Sequence, residues 1–229
     1  MKSFLRTSLM AIAVAFIFGA LSATDAKAQL QEILNRMDAH NKSLQTLRSN
    51  VTMVKYNDQL KESDTTEGTT MYIPSKNREP YVRIDWTKPV QEILTTSNGK
   101  YILYRPRLQQ AIIGNIKDAK GSPKAGGALA FINMSKAQLK ANYSMQYIGA
   151  EKLSNGTETV HLQLTPKTAT SYKTADVWVD KDGMPVQMKA IENNNDSTTV
   201  LLSNIQKNVS LNAKDFNPEL PKGTKKVKG

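Results

Sequence analysis

At 229 residues, with no cysteine and a formal net charge of +11, the chain is sized for one domain and excludes both a disulfide framework and a lipidated cysteine. Its two histidines are too few for a histidine-rich metal site. So basic a chain points to nucleic acid, anionic lipid or an acidic partner.

The N-terminus reads as an export signal. Lys2 and Arg6 give a positive start, Leu9 to Leu21 is an apolar run broken by Gly19, and Ala26-Lys27-Ala28 is a small-residue cleavage site. The run is short of the ~18–20 residues that a spanning helix needs. Residues 1–28 are expected to be removed after Ala28, leaving 29–229 as one soluble domain outside the cytoplasm. Export makes nucleic acid an unexpected partner.

Leu30, Ile33, Leu34, Met37 and Leu44 recur at helical spacing and predict one helix over about 29–47, with Asn41 interrupting its stripe. Short strands follow. Val51 and Met53 alternate with polar residues, and Gly68 to Pro74 carries Met71 and Ile73 on one face. Val82, Ile84 and Trp86 alternate with Tyr81, Arg83 and Asp85. Strands around Ile93-Leu94 and Tyr101 to Tyr104 flank Asn98-Gly99, a hairpin turn whose two positions need positive φ. Gln109 to Ile113 is a further strand.

The Gly/Lys/Ser/Pro-rich stretch from Ile116 to Gly127 reads as a loop. It leads into Ala128 to Tyr143, where Leu129, Ile132, Leu139 and Tyr143 keep helical spacing with a break at Asn133-Met134-Ser135. Ser135 is placed to cap a short helix, with Gln138 three residues on. Five more strands follow. They are Ser144 to Glu151, the run of Val160, Leu162 and Leu164, Val177 and Val179 flanking Trp178, Val186 with Met188, and Thr198 to Ile205. Turn signals at Asn155-Gly156, Asp182-Gly183 and Asn193 to Asp196 separate them. The short connections between these eleven strands favour an antiparallel meander. The last lysines, Lys222, Lys225, Lys226 and Lys228, read as a solvated basic tail.

Enzyme chemistry finds little support, and no cofactor or metal is expected. There is no G-x-S-x-G elbow, Gly121 to Gly127 lacks the ending of a phosphate loop, and Asp180-Lys181-Asp182-Gly183 lacks the ligands of a calcium loop. His161 falls on the polar side of its strand and reads as a surface histidine.

The order of segments resembles the outer-membrane lipoprotein carrier (LolA), or lipoprotein-sorting, family. The residues that carry the likeness begin with Pro80-Tyr81-Val82-Arg83-Ile84-Asp85-Trp86, Lys88-Pro89 and Ser97-Asn98-Gly99-Lys100. They continue through Tyr104 to Ala111, Leu162 to Lys167 and Trp178 to Gly183, and close on Phe216-Asn217-Pro218-Glu219-Leu220-Pro221-Lys222-Gly223. The resemblance implies a mainly β fold: an incomplete antiparallel β-barrel covered by an N-terminal helix and a helical lid, enclosing an apolar cavity for acyl chains. It also implies a lid-fastening arginine before a proline, but here Glu79 precedes Pro80 and Arg78 stands one step earlier.

The expected cavity lining is Met53, Met71, Ile73, Val82, Ile84, Trp86, Leu129, Ile132, Leu162, Leu164, Val177, Val179 and Met188. Leu129, Ile132 and Leu139 are expected in the lid. Met53, Met71, Met134 and Met188 suit such a cavity because methionine repacks readily. The function the resemblance implies is that of a monomeric periplasmic carrier. It would take lipoprotein acyl chains or related lipids from an inner-membrane release complex toward an outer-membrane acceptor, without bond chemistry. The alternative is an envelope sensor or interaction protein on the same fold.

Overall fold

A computed structural model describes residues 23–75, 79–118 and 130–229. Helix α1 (Ala23–Ser43) and helix α2 (Lys136–Asn142) lie against one sheet of twelve strands. The strands are β1 (Leu47–Asn57), β2 (Glu62–Ile73), β3 (Tyr81–Lys88), β4 (Glu92–Ser97), β5 (Lys100–Arg105), β6 (Gln110–Asn115), β7 (Tyr143–Lys152), β8 (Glu158–Pro166), β9 (Tyr172–Asp180), β10 (Pro185–Glu192), β11 (Ser197–Lys207) and β12 (Lys225–Lys228). Their order is β12-β6-β5-β4-β3-β2-β1-β11-β10-β9-β8-β7, so the edges β12 and β7 do not meet and the sheet is open. Sheets this wide curl rather than stay flat.

Two antiparallel meanders, β1–β6 and β7–β11, are joined where β1 pairs with β11. β6 and β7 therefore stand near opposite ends of the strand order, joined by a long connection. That connection contains a 3-10 turn at Ala130–Asn133 and then α2. The capping box expected at Ser135 is formed: its side chain accepts from Gln138 N, and Gln138 Oε1 accepts from Ser135 N at 2.9 Å. Tyr143 begins β7 instead of continuing the helix.

Alternation selects the buried face. In β3, Val82, Ile84 and Trp86 are buried and the residues between them are partly exposed. The hairpin turn has the expected left-handed pair, φ 50° at Asn98 and 75° at Gly99. α1 starts earlier than its apolar stripe and stops at Ser43, leaving residues 44–46 free to turn the chain into β1. The expected cleavage point after Ala28 falls inside α1, and residues 1–22 lie outside the described residues. No helix among the described residues is long and apolar enough to cross a membrane.

Two expectations need correction. The strands number twelve, because the lysine run is not a solvated tail: Lys225–Lys228 pairs in parallel with β6, Val227 opposite Ile112. Lys225 N donates to Gln109 O at 2.8 Å and Gly229 N to Ile113 O at 3.0 Å. Lysines suit this place, because charge on an edge strand discourages further pairing. His161 is no plain surface histidine either. On the outer face its Nε2 lies 2.9 Å from Asp176 Oδ1 and its Nδ1 3.2 Å from Glu151 Oε2. Its ring stacks on Trp178 at 4.4 Å, and Trp178 Nε1 donates to Glu151 at 2.8 Å.

Candidate functional site: the inner face of the sheet

The register across the sheet assigns each side chain to a face. Leu47 faces Tyr72, Ser49 faces Thr70 and Val51 faces Gly68 across β1–β2. Tyr72, Thr70 and Gly68 then face Val82, Ile84 and Trp86 of β3. On the other side of β1, Met53 faces Val200 and Val51 faces Leu202; Val200 faces Met188, and Met188 faces Val177. Val177 faces Leu162, and Val179 faces Val160. These residues line one continuous inner face, since side chains paired across strands point the same way.

The face is packed as two apolar clusters. The larger joins Met53, Tyr72, Val82, Ile84, Trp86, Val186, Val200 and Leu202 to Phe131 and Ile132 of the 3-10 turn between β6 and β7. The smaller joins Leu162, Leu164, Ala175, Val177 and Val179 to Ile33, Leu34 and Met37 of α1 and to Leu139 of α2. Met134 and Met188 pack against both. Each fully buried Leu, Ile or Val contributes roughly 1.5–3 kcal/mol.

Of the residues expected in the lining, Met53, Val82, Ile84, Trp86, Ile132, Leu162, Leu164, Val177, Val179 and Met188 are thus brought together on this face. Met71 and Ile73 are not. They pair with Arg83 and Tyr81, the outward positions of β3, and Tyr72 takes the inward place between them. Met71 instead lines an outer cleft of about 360 Å³ with Arg48, Ser49, Asn50, Asp85 and Gln206. Leu129 and Arg78 lie outside the described residues, and Glu79 is exposed. Of the other lid residues, Ile132 belongs to the larger cluster and Leu139 to the smaller.

Polar ties hold α1 over its half of the face. Lys140 Nζ donates to Gln31 Oε1 at 2.8 Å and Lys136 Nζ to Asn35 Oδ1, linking α2 to α1. Arg36 donates to the Lys181 carbonyl at 3.0 Å in the β9–β10 turn. In that turn Asp180 Oδ1 accepts from Asp182 N and Met184 N at 2.9 and 2.8 Å, which closes it as a hairpin.

Sequence reasoning missed Tyr72 and Ser49. Both are buried, 1% and 3% exposed, and neither hydroxyl has a hydrogen-bond partner among the described residues. Their neighbour Thr70 donates to the Arg83 carbonyl at 3.0 Å. Burial pushes the Tyr72 phenol well above its ordinary value, so it stays protonated. Strict alternation backward from Gly68–Thr70–Tyr72 was the signal available.

By sequence, no curated protein matches the chain significantly. Among solved structures it is similar to an uncharacterized conserved protein from Thermus thermophilus, with TM-score 0.56 at 12% identity over 88% of this chain and 99% of that one. It is similar to MucB, with TM-score 0.54 at 12% identity over 84% of this chain and 63% of that one. A LolA superfamily protein from Nitrosomonas europaea aligns at TM-score 0.42 and 14% identity, over 82% of this chain and 97% of that one. The first two likenesses speak to the fold. The family model described as outer membrane lipoprotein carrier protein LolA matches residues 42–219, nearly all of the two meanders whose inner face has just been traced, and the chain belongs to that family.

Proposed function

We propose that this protein is a periplasmic carrier that takes lipoprotein acyl chains, or related lipids, onto the inner face of its sheet and passes them toward the outer membrane without breaking or making a bond. One observation carries the reading: in a chain of the LolA family, the inner face is apolar across β1–β3 and β8–β11 and is roofed by α1, α2 and the 3-10 turn at Ala130–Asn133. That turn, holding Phe131 and Ile132, acts as the lid.

Energetics limits the mode of binding. Burying acyl chains is worth ~0.8 kcal/mol per CH₂, so about forty methylenes would give roughly 32 kcal/mol. That exceeds the ~18–21 kcal/mol ceiling of non-covalent affinity. A carrier must therefore bury the chains incompletely or set part of that gain against opening its own packing. Here the residues to be displaced are close-packed, Ile84 and Ile132 being only 1% and 2% exposed.

The test is titration of the delipidated, export-processed protein with a pyrene-labelled diacylglycerol. Saturable binding, together with acylated species in the mass spectrum of protein taken from the periplasm, is the expected result. Absence of acyl binding, with capture of a protein partner instead, would overturn the carrier in favour of an interaction protein on the same fold.

A further inference from the structure

Two buried, unpartnered hydroxyls, Tyr72 of the larger cluster and Ser49 beside it on the strand pair, are out of place in a surface built only to hold hydrocarbon. A buried hydroxyl without a partner costs about 1–3 kcal/mol, and buried polar groups in native proteins are nearly always satisfied. Ser49 and Tyr72 are not scattered. Leu47 faces Tyr72 and Ser49 faces Thr70, which makes Ser49 and Tyr72 diagonal neighbours on the same face of one strand pair. Around them stand Leu47, Val51, Val82 and Ile84, all buried.

Resting on the carrier reading, we infer that Tyr72 and Ser49 donate hydrogen bonds to a neutral carbonyl of the bound acyl group, so that the ligand is an acyl ester or amide rather than a free fatty acid or a bare hydrocarbon. The choice follows from charge. The inner positions traced on β1, β2, β3 and β11 carry no basic side chain, and burial alone perturbs the Tyr72 phenol. A carboxylate placed there would be buried without a cation, which is far costlier than burying a carbonyl. An alkane would leave both hydroxyls as they are. An ester or amide carbonyl supplies two acceptor lone pairs and adds no charge.

The experiment displaces the pyrene-labelled diacylglycerol from full-length processed protein with methyl palmitate, hexadecane or palmitate. It uses wild type, Tyr72→Phe, Ser49→Ala and the double variant, and each variant's denaturant midpoint is measured without ligand. Wild type is expected to favour the methyl ester over palmitate by at least about tenfold. Each single substitution should weaken the ester about fivefold, as the loss of one hydrogen bond to an uncharged group does, and leave hexadecane unchanged. The ligand-free midpoint of Tyr72→Phe should hold or rise, because the substitution removes an unsatisfied group. Three results would overturn the inference: an unchanged ester-to-alkane ratio, a wild type that prefers palmitate, or a ligand-free midpoint that falls in Tyr72→Phe with the ratio unmoved. The last would mean that the hydroxyls serve the fold through buried water. If the pyrene probe fails to bind wild type at all, the carrier reading itself has failed, and that outcome is separate from these.

Discussion

Over β8 and β9 the sheet is covered by two helices that are tied to each other and to the β9–β10 turn; the larger cluster, which spans β1–β3, β10 and β11, takes Phe131 and Ile132 of one 3-10 turn that lies against β10. The helical half carries Lys140–Gln31, Lys136–Asn35 and Arg36–Lys181 hydrogen bonds besides its apolar contacts. The other half carries the unpartnered Ser49 and Tyr72 hydroxyls, while α1 in the helical half carries Gln29 Oε1, Arg36 Nε and His40 Nε2 without a hydrogen-bond partner among the described residues. On one sheet, then, the fixed cover and the adaptable cover are separate. This lets the fold keep most of its stability in a part that ligand entry does not have to disturb.

The largest effect expected from breaking this arrangement is at Gly183. It sits in the β9–β10 turn at φ +86°, and a Cβ there would lie 2.3 Å from the Arg36 carbonyl oxygen. The atoms met, Arg36 O and C at 2.3 and 2.4 Å, are backbone, so α1 or the turn has to move. Gly156, in the β7–β8 turn, has the same φ of +86° with nothing within 4 Å of its added Cβ. Gly156→Ala should cost about 1 kcal/mol for the left-handed backbone alone. Gly183→Ala should cost about 3 kcal/mol, the upper end of ordinary substitutions. Urea midpoints of the two variants isolate the seat of α1, and equal losses would show that the helix is not fastened there.

A sharper version compares the two covers directly. Leu139→Ala, in the helical half, should lose about 2–4 kcal/mol of stability, as buried leucines do, with little change in affinity for the pyrene probe. Ile132→Ala should show the reverse balance: a smaller loss of stability, because a single turn can settle into the space, and the larger change in acyl affinity. If both variants lose stability alike and neither moves affinity, the 3-10 turn is fixed core and the division between the halves is false.

Much of this was legible in the sequence because alternation is a local property. Val82-x-Ile84-x-Trp86, Leu162-x-Leu164 and Val177-x-Val179 each announce an inner face, and Asn98-Gly99 and the Ser135–Gln138 box announce a turn and a helix start. Where local preference and register conflict, sequence misleads. Met71 and Ile73 are more apolar than Thr70 and Tyr72, yet pairing with β3 turns the hydroxyl-bearing set inward. Gly68 shows why that pairing is close: an added Cβ would lie 2.3 Å from the Asp85 carbonyl oxygen. β12 was hidden because its partner is more than a hundred residues away and its lysines imitate a tail. His161 was hidden because its carboxylate partners come from β7 and β9.

The smallest effect expected is one of pH, and it tests which half yields first. His40 lies on α1, 5% exposed, with no hydrogen-bond partner for its Nε2. Burial holds its pKa below the ordinary 6.5, and Lys207 pushes the same way while Asp180 and Asp182 oppose it. Lys207 itself lies 3.8 Å from Asp180 and 3.7 Å from Asp182, where α1 meets the end of β11 and the β9–β10 turn. The folded protein therefore binds this proton less readily than the unfolded chain. Its contribution to stability is complete above pH 6.5 and is lost as pH falls from there through the lowered folded value. Between about pH 7.5 and about pH 5, wild type should lose more urea resistance than His40→Leu, and the two curves should run parallel above that window. Hydrogen exchange in the same range should rise first along α1, while the amides of β1–β3 stay protected. If the β1–β3 amides open together with α1, or if His40→Leu follows wild type throughout, the histidine is not the acid-sensitive point of the fixed cover and the two halves respond as one.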